Sequence, residues 1–133
     1  MEIREYTTYR EDEILNLYAS VGWTAYTRDP AVLKAGFLNS MMILGAYEGN
    51  QLLGILRAVG DGATVVLIQD LLVLPEHQRR GIGTALLKNC IARYPQVRQI
   101  QLATDNTDKT KAFYRSCGFR EYGELGCVGF MKG

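Results

Sequence analysis

The chain is 133 residues long with a formal charge of +1, enough for one domain with a real core and too near neutral to imply a nucleic-acid backbone or an anionic membrane as partner. Apolar residues make up 47% and charged residues 22%, an ordinary balance for a globular protein, and no apolar run is long enough to span a bilayer. Three widely spaced cysteines (Cys90, Cys117 and Cys127) and a lone His77, with no C-x-x-C or H-E-x-x-H pattern, argue against a disulfide framework and against a metal centre.

No leader-like segment precedes the first strand signal, so a cytoplasmic location is expected. Residues 3–6 can open a sheet. Thr8 and Glu11 stand in capping-box spacing before a stretch that puts Ile14, Leu17, Tyr18 and Val21 on one helical face, and Gly22-Trp23 ends it. Asp29-Pro30 starts another helix as N-cap and first-turn proline, with Leu33 and Phe37 one turn apart. Residues 41–47 and 52–59 read as strands around a Gly49-Asn50 turn. Asp61-Gly62 then leads into a long apolar strand over 64–74. A helix is predicted from the glycines at 81 and 83 to about Tyr94, stopped by Pro95, followed by a strand over 97–104 and a helix over 108–117. Residues 119–132 are expected to form a terminal strand pair around Gly123 and Gly126. The order predicts a single α/β domain over residues 1–133 with a mixed sheet.

The functional argument turns on LLVLPEHQRRGIGTALL, residues 71–87. An apolar strand breaks into a charged loop and then two glycines at the start of a helix. The first N–H groups of a helix lack partners, and the helix dipole is positive there. Gly81 and Gly83 remove side chains that would keep a bulky anion away, and Arg79 and Arg80 add positive charge. The same glycines could instead serve only a tight turn and close helix–strand packing. A Walker loop fails, because no lysine precedes Thr84. A dinucleotide fingerprint would use Asp105 as the ribose acid. It fails because its third glycine is Leu86, the polar insert 75–80 separates strand from glycines, and too little chain follows Asp105.

Gln78-Arg79-Arg80-Gly81-Ile82-Gly83 resembles the [QR]-x-x-G-x-[GA] signature of the GNAT superfamily of N-acetyltransferases, together with LLVLP before it and AFYRSCGF, residues 112–119, after it. The resemblance covers essentially the whole chain. It implies a GNAT fold: a central twisted, mixed but mostly antiparallel sheet of about seven strands, flanked by about four helices. It implies that acetyl-coenzyme A is the cosubstrate, without a metal, and that the backbone of Arg79, Arg80, Gly81, Ile82, Gly83 and Thr84 holds the pyrophosphate. It also puts the pantetheine arm against the backbone of Leu71, Leu72 and Val73, where strands splay at a bulge. Such an arm can pair with exposed backbone as an added strand does, and a bulge frees an N–H for the thioester oxygen.

Tyr114 in AFYRSCGF matches the family tyrosine that protonates the departing sulfur, although an aromatic there could be core alone. Asn106 resembles the residue that bonds the pantetheine arm. It stands eight positions before Tyr114 rather than the usual seven, so Thr107 or Asp105 could hold that place. Asp70 precedes Leu71 on the central strand, either as a carboxylate that orients an ammonium or takes its proton through water, or as a structural partner of a neighbouring strand. Direct attack without a side-chain base is a further route. Trp23 and Tyr26, with Arg28 beside them, are expected to wall the acceptor pocket or else only to anchor helices to the sheet.

The expected activity is transfer of an acetyl group to a primary amine, of a small molecule or a peptide, by direct attack in a ternary complex. The expected partners include neither nucleic acid nor membrane, and a homodimer is a family-level expectation. The alternatives are a coenzyme A-binding sensor without catalysis, or a donor such as succinyl-coenzyme A served by Arg28 or Arg57.

Overall fold

The computed structural model describes all of residues 1–133. Two compact units make up the chain, Met1–Ala103 and Thr104–Gly133. The first contains β1 (Glu2–Glu5), α1 (Glu11–Ser20), α2 (Thr24–Thr27), α3 (Pro30–Leu38), β2 (Met42–Glu48), β3 (Gln51–Gly60), β4 (Val65–Val73), α4 (Ile82–Arg93) and β5 (Gln99–Leu102). The strands form one sheet in the order β1-β2-β3-β4-β5. The first three pairings are antiparallel and β4 with β5 is parallel, the mixed and mostly antiparallel sheet expected. No helix is long and apolar enough to cross a membrane.

Local sequence accounts for most of these elements. Asp29 caps α3 by accepting from the Val32 N–H at 3.3 Å, with Pro30 in the first turn. The expected Thr8–Glu11 capping box does not form. The N-cap of α1 is Arg10, without a side-chain cap, and its own N–H donates to the Tyr6 hydroxyl at 3.0 Å. Ile14, Leu17 and Tyr18 from α1 pack with Leu33 and Phe37 from α3 on the sheet residues Ile55 and Leu72. Packed against β2, β3 and β4, α4 buries Ile82, Leu86, Leu87 and Cys90.

Two bulges decide which way the central side chains point. In the β2–β3 ladder, Ala46 pairs with Gly54 and Tyr47 with Leu52, leaving Leu53 as the extra residue. Leu52 and Ile55 therefore lie in the same cluster despite being three apart. In the β3–β4 ladder, Arg57 pairs with Asp70 and Ala58 with Ile68, leaving Gln69 extra. Ile68 and Asp70 would share a face in a regular strand. The bulge separates them and turns Asp70 toward α1 and α2.

The second unit holds α5 (Asp108–Ser116), capped by the Thr107 hydroxyl, which accepts from the Thr110 N–H at 3.2 Å. A 3-10 turn, Tyr122–Leu125, follows. Here the structure corrects the expected terminal strand pair: residues 119–132 contain no strand, and the sheet has five strands rather than about seven. The physical reason is local. Glu121 and Glu124 cap one another's backbone reciprocally, Gly126 closes the turn at φ +77°, and Arg115 ion-pairs with both glutamates.

Candidate active site

Between β4 and α4 the chain makes a 3-10 turn, Pro75–His77, and then two left-handed steps, Arg79 at φ +66° and Gly81 at φ +80°. A positive φ is uncommon for arginine. Gly81 is the N-cap of α4, no side chain caps the helix, and the first backbone bond is Ala85 N–H to the Gly81 carbonyl at 2.9 Å. The N–H groups of Ile82, Gly83 and Thr84 therefore have no acceptor inside the helix. A Cβ built on Gly81 would meet no protein atom within 4 Å, so close packing is not what Gly81 serves. Alternating left-handed geometry with uncapped donors is the form that anion-binding concavities take, and a pyrophosphate would fit it.

Two side chains brace this loop. Gln78 Nε2 donates to the Val73 carbonyl at 3.0 Å, tying the loop to the end of β4. An Arg80 guanidinium N–H lies 3.1 Å from His77 Nδ1. His77, which reads as a surface histidine in the sequence, thus orients one of the two arginines. Arg79 and Arg80 are both exposed.

Beside the loop lies a gap in the sheet. β4 pairs with β5 only from Val65 with Gln99 to Ile68 with Leu102, and the bulge at Gln69 follows at once. The rest of β4, residues 69–73, has no strand on that side. The Leu74 N–H bonds the Leu53 carbonyl at 2.8 Å, so by alternation Leu72 also faces β3 while Leu71 and Val73 turn their amides toward the gap. Leu72 places its side chain in the core instead.

On the helical face of β4 an open cleft of about 410 Å³ is lined by Trp23, Tyr26, Arg28, Gln69 and Asp70, among others. Trp23 and Tyr26 line it and also anchor the helices. Their rings pack on Tyr18 at 6.0 and 5.1 Å between centroids. Asp70, only 2% exposed, forms the back of the cleft. One carboxylate oxygen accepts from the Tyr18 hydroxyl at 2.7 Å and from Arg57 Nε at 2.8 Å, and the other from the Tyr26 hydroxyl at 3.0 Å. Burial, then the Asp70 charge, drives the Tyr18 pKa far above its ordinary value. Burial works against the Arg57 charge, but Asp70 and Tyr18 outweigh it and raise its pKa. The Asp70 charge is thus matched inside the protein. Gln69 Nε2 lies 3.4 Å from the Tyr26 oxygen, whose own proton goes to Asp70; that oxygen remains an acceptor at the cleft.

In the second unit Tyr114 is half-buried between Phe113 and Phe119, at 4.9 and 5.9 Å. Burial chiefly, and then Cys117, push its phenol up to about 12 against a lowering hydrogen bond with Thr104. Asn106 is exposed, whereas the Thr107 hydroxyl is occupied in capping α5.

Tyr18 and Arg57 are the residues of this site that sequence reasoning missed as partners of Asp70. A signal existed: Arg57 in QLLGILRAVG and Asp70 in VVLIQDLLV are lone opposite charges inside two apolar strands, which only mutual pairing makes tolerable.

Residues 39–121 match the model of the acetyltransferase (GNAT) domain, more than half of the chain. The GNAT-family acetyltransferase SP0256 of Streptococcus pneumoniae TIGR4 is 36% identical, with a TM-score of 0.88 over 98% of this chain and 96% of that one. The GCN5-related N-acetyltransferase 3 of Arabidopsis thaliana is 32% identical over 90% of this chain and 50% of its own length. A likeness in fold alone, at 16% identity and a TM-score of 0.72 over 90% of this chain and 91% of that one, links it to the PaiA N-acetyltransferase of Thermoplasma acidophilum, solved in complex with coenzyme A. The chain spans 41–50% of the length of the curated relatives it matches. With the loop, the splayed strand and these likenesses together, the chain belongs to the GNAT family of acetyltransferases.

Proposed function

We propose that this chain, acting as one GNAT domain over residues 1–133, moves an acetyl group from acetyl-coenzyme A to a primary amine, of a small molecule or a peptide, by direct attack in a ternary complex. The observation that carries the proposal is the uncapped start of α4, with Arg79 and Gly81 both left-handed, directly after a strand whose last residues face a gap. Coenzyme A offers a pyrophosphate for the first and an amide-rich arm for the second. The N–H groups of residues 79–84 and the two arginines take the phosphates. The backbone of Leu71 and Val73 pairs with the pantetheine arm, and Asn106 is its proposed further contact. Bound in this way, the cosubstrate supplies an activated acetyl group.

The acceptor enters the cleft beside Trp23 and Tyr26. With its proton held by Asp70, the Tyr26 oxygen accepts from the incoming amine, and Asp70 acts as a positioning residue through it. Tyr114 keeps its proton throughout the neutral range, since burial chiefly holds it near 12. We assign it the proton for the departing sulfur, on its place in AFYRSCGF. Three free cysteines are compatible with the reducing cytoplasm proposed for this activity.

One observation favours a second reading, a coenzyme A sensor: the only carboxylate at the back of the cleft already has its charge matched by Arg57. Calorimetric titration with acetyl-coenzyme A and with desulfo-coenzyme A, followed by thiol release over a panel of amines, tests both. Saturable binding with thiol release is expected. Binding without release favours the sensor, and no binding overturns the assignment of the loop.

A further inference from the structure

Only two of the residues that line the open cleft carry charge, Arg28 and Asp70. The Asp70 charge is matched by Arg57 at 2.8 Å, and each of its oxygens also accepts from a phenol. Arg28 differs. Its side chain is exposed and takes part in none of the ion pairs of the molecule. The neighbouring acid, Asp29, directs a carboxylate oxygen to the Val32 N–H and so caps α3. Arg28 closes α2 through its backbone alone, N–H to the Thr24 carbonyl at 3.0 Å, a bond that asks nothing of the guanidinium.

The cleft thus presents one unmatched positive charge to whatever enters it. Beside that charge stand the Gln69 amide and an aromatic wall, Trp23 and Tyr26, with ring centroids 6.1 Å apart. Ala25 and Tyr26 also line a second recess of about 250 Å³, together with Asp29, Val32 and Leu33. A polyamine or an amino sugar with several ammonium groups would meet a guanidinium here and no acid free to compensate it. An amine that carries an oxyanion would meet a planar donor fork of opposite charge.

We propose that the acceptor is an amine bearing an oxyanion of its own, a carboxylate as in an amino acid or else a phosphate. Arg28 is the residue that selects it, and the apolar remainder lies over Tyr26 toward the second recess. Arg57, the other arginine near Asp70, is 7% exposed and committed to that carboxylate. Arg28 acts on an acceptor only if the acyl-transfer reading holds, whereas its grip on an oxyanion needs the cleft alone.

Trp23 is the only tryptophan of the chain, so its fluorescence reports on this cleft. Two matched pairs, phenylalanine with phenylalaninamide and O-phosphoethanolamine with ethanolamine, are titrated into the protein. The same four amines are then compared for thiol release from acetyl-coenzyme A. In at least one pair the oxyanionic member is expected to bind, and to react by kcat/KM, about tenfold or more better than its partner. The pair that responds names carboxylate or phosphate. In Arg28→Gln that ratio should collapse to about one, and Arg28→Lys should keep part of it, a pattern that a merely structural Arg28 would not produce. Thiol release without preference in either pair, or a preference that survives Arg28→Gln, would overturn the proposal and leave acyl transfer intact. Binding that depends on Arg28 without thiol release from any amine would leave an oxyanion site on a sensor and overturn the acceptor assignment. A preference for succinyl- over acetyl-coenzyme A that Arg28→Gln removes would overturn it too, by placing the oxyanion on the donor.

Discussion

Asp70 is the residue on which the lining of the cleft beside Trp23 and Tyr26 depends. It holds one guanidinium and two phenols, so removing its charge strands Arg57 in a buried position. Asp70→Asn is expected to destabilise the fold by about 3–5 kcal/mol, with Arg57→Met,Asp70→Leu recovering much of it, as urea midpoints will show. At Gly81 the expectation is reversed, with the fold kept and binding lost. A side chain there meets no protein atom but must adopt φ +80°, a cost of roughly 1–2 kcal/mol. Gly81→Val should therefore fold while losing at least tenfold, about 1.4 kcal/mol, in coenzyme A affinity by calorimetry. Tyr114→Phe should lower turnover by about 10², a modest loss because a thiolate with a pKa near 8.5 leaves tolerably unaided. In the proposed role Tyr114 would donate only while protonated, so kcat of the parent protein should show no falling limb from this group until the pH nears 12.

At the scale of elements, the bulge at Gln69 does two things at once. It turns Asp70 away from the face of Ile68, and it marks the point where β5 stops pairing with β4. Deleting Gln69 would restore a regular strand in which Asp70 still faces Arg57, since adjacent residues point oppositely. The expected protein is folded, retains the buried ion pair, and has a straighter β4 with the gap reduced. Its affinity for coenzyme A should fall by about tenfold or more while its urea midpoint holds. Loss of folding would mean that the bulge is needed for packing, not for the gap. These elements differ in how far they were legible. The start of α3 at Asp29-Pro30 and the start of α4 at Gly81 are local events, governed by a cap, a proline and a glycine, and both stand where the sequence reading put them. The turn at Tyr122–Leu125 was read as strand because Gly123 and Gly126 look like hairpin punctuation. The reciprocal Glu121–Glu124 cap and the Arg115 pairs that won there involve charged residues with no apolar periodicity to announce them.

At the scale of the whole molecule, buried phenols set the response to alkali. Tyr6 and Tyr18 are held protonated, chiefly by burial, with carboxylates adding to it. Their folded pKa values are raised above the unfolded one, so their contribution to stability is complete below about pH 10 and is lost as the pH rises toward the folded values. Denaturant midpoints should be flat from neutral pH to about pH 9 and then decline as unfolded tyrosines begin to ionise. A midpoint that holds steady well beyond pH 10 would show that these phenols ionise as easily folded as unfolded.

The residues 78–83, the periodicity of α1 and α4 and the strand–loop–helix order at 71–87 were enough by themselves to determine the family. Each depends on neighbours within a few positions along the chain. The tertiary structure alone decided which groups Asp70 pairs with, which amides of β4 face the gap, and that the last residues leave the sheet at five strands. Arg57 and Asp70 meet only because β3 and β4 pair in one register, and that register contains a bulge at Gln69. A bulge reverses the facing of every side chain beyond it, and strand alternation read from sequence carries no mark of where one falls.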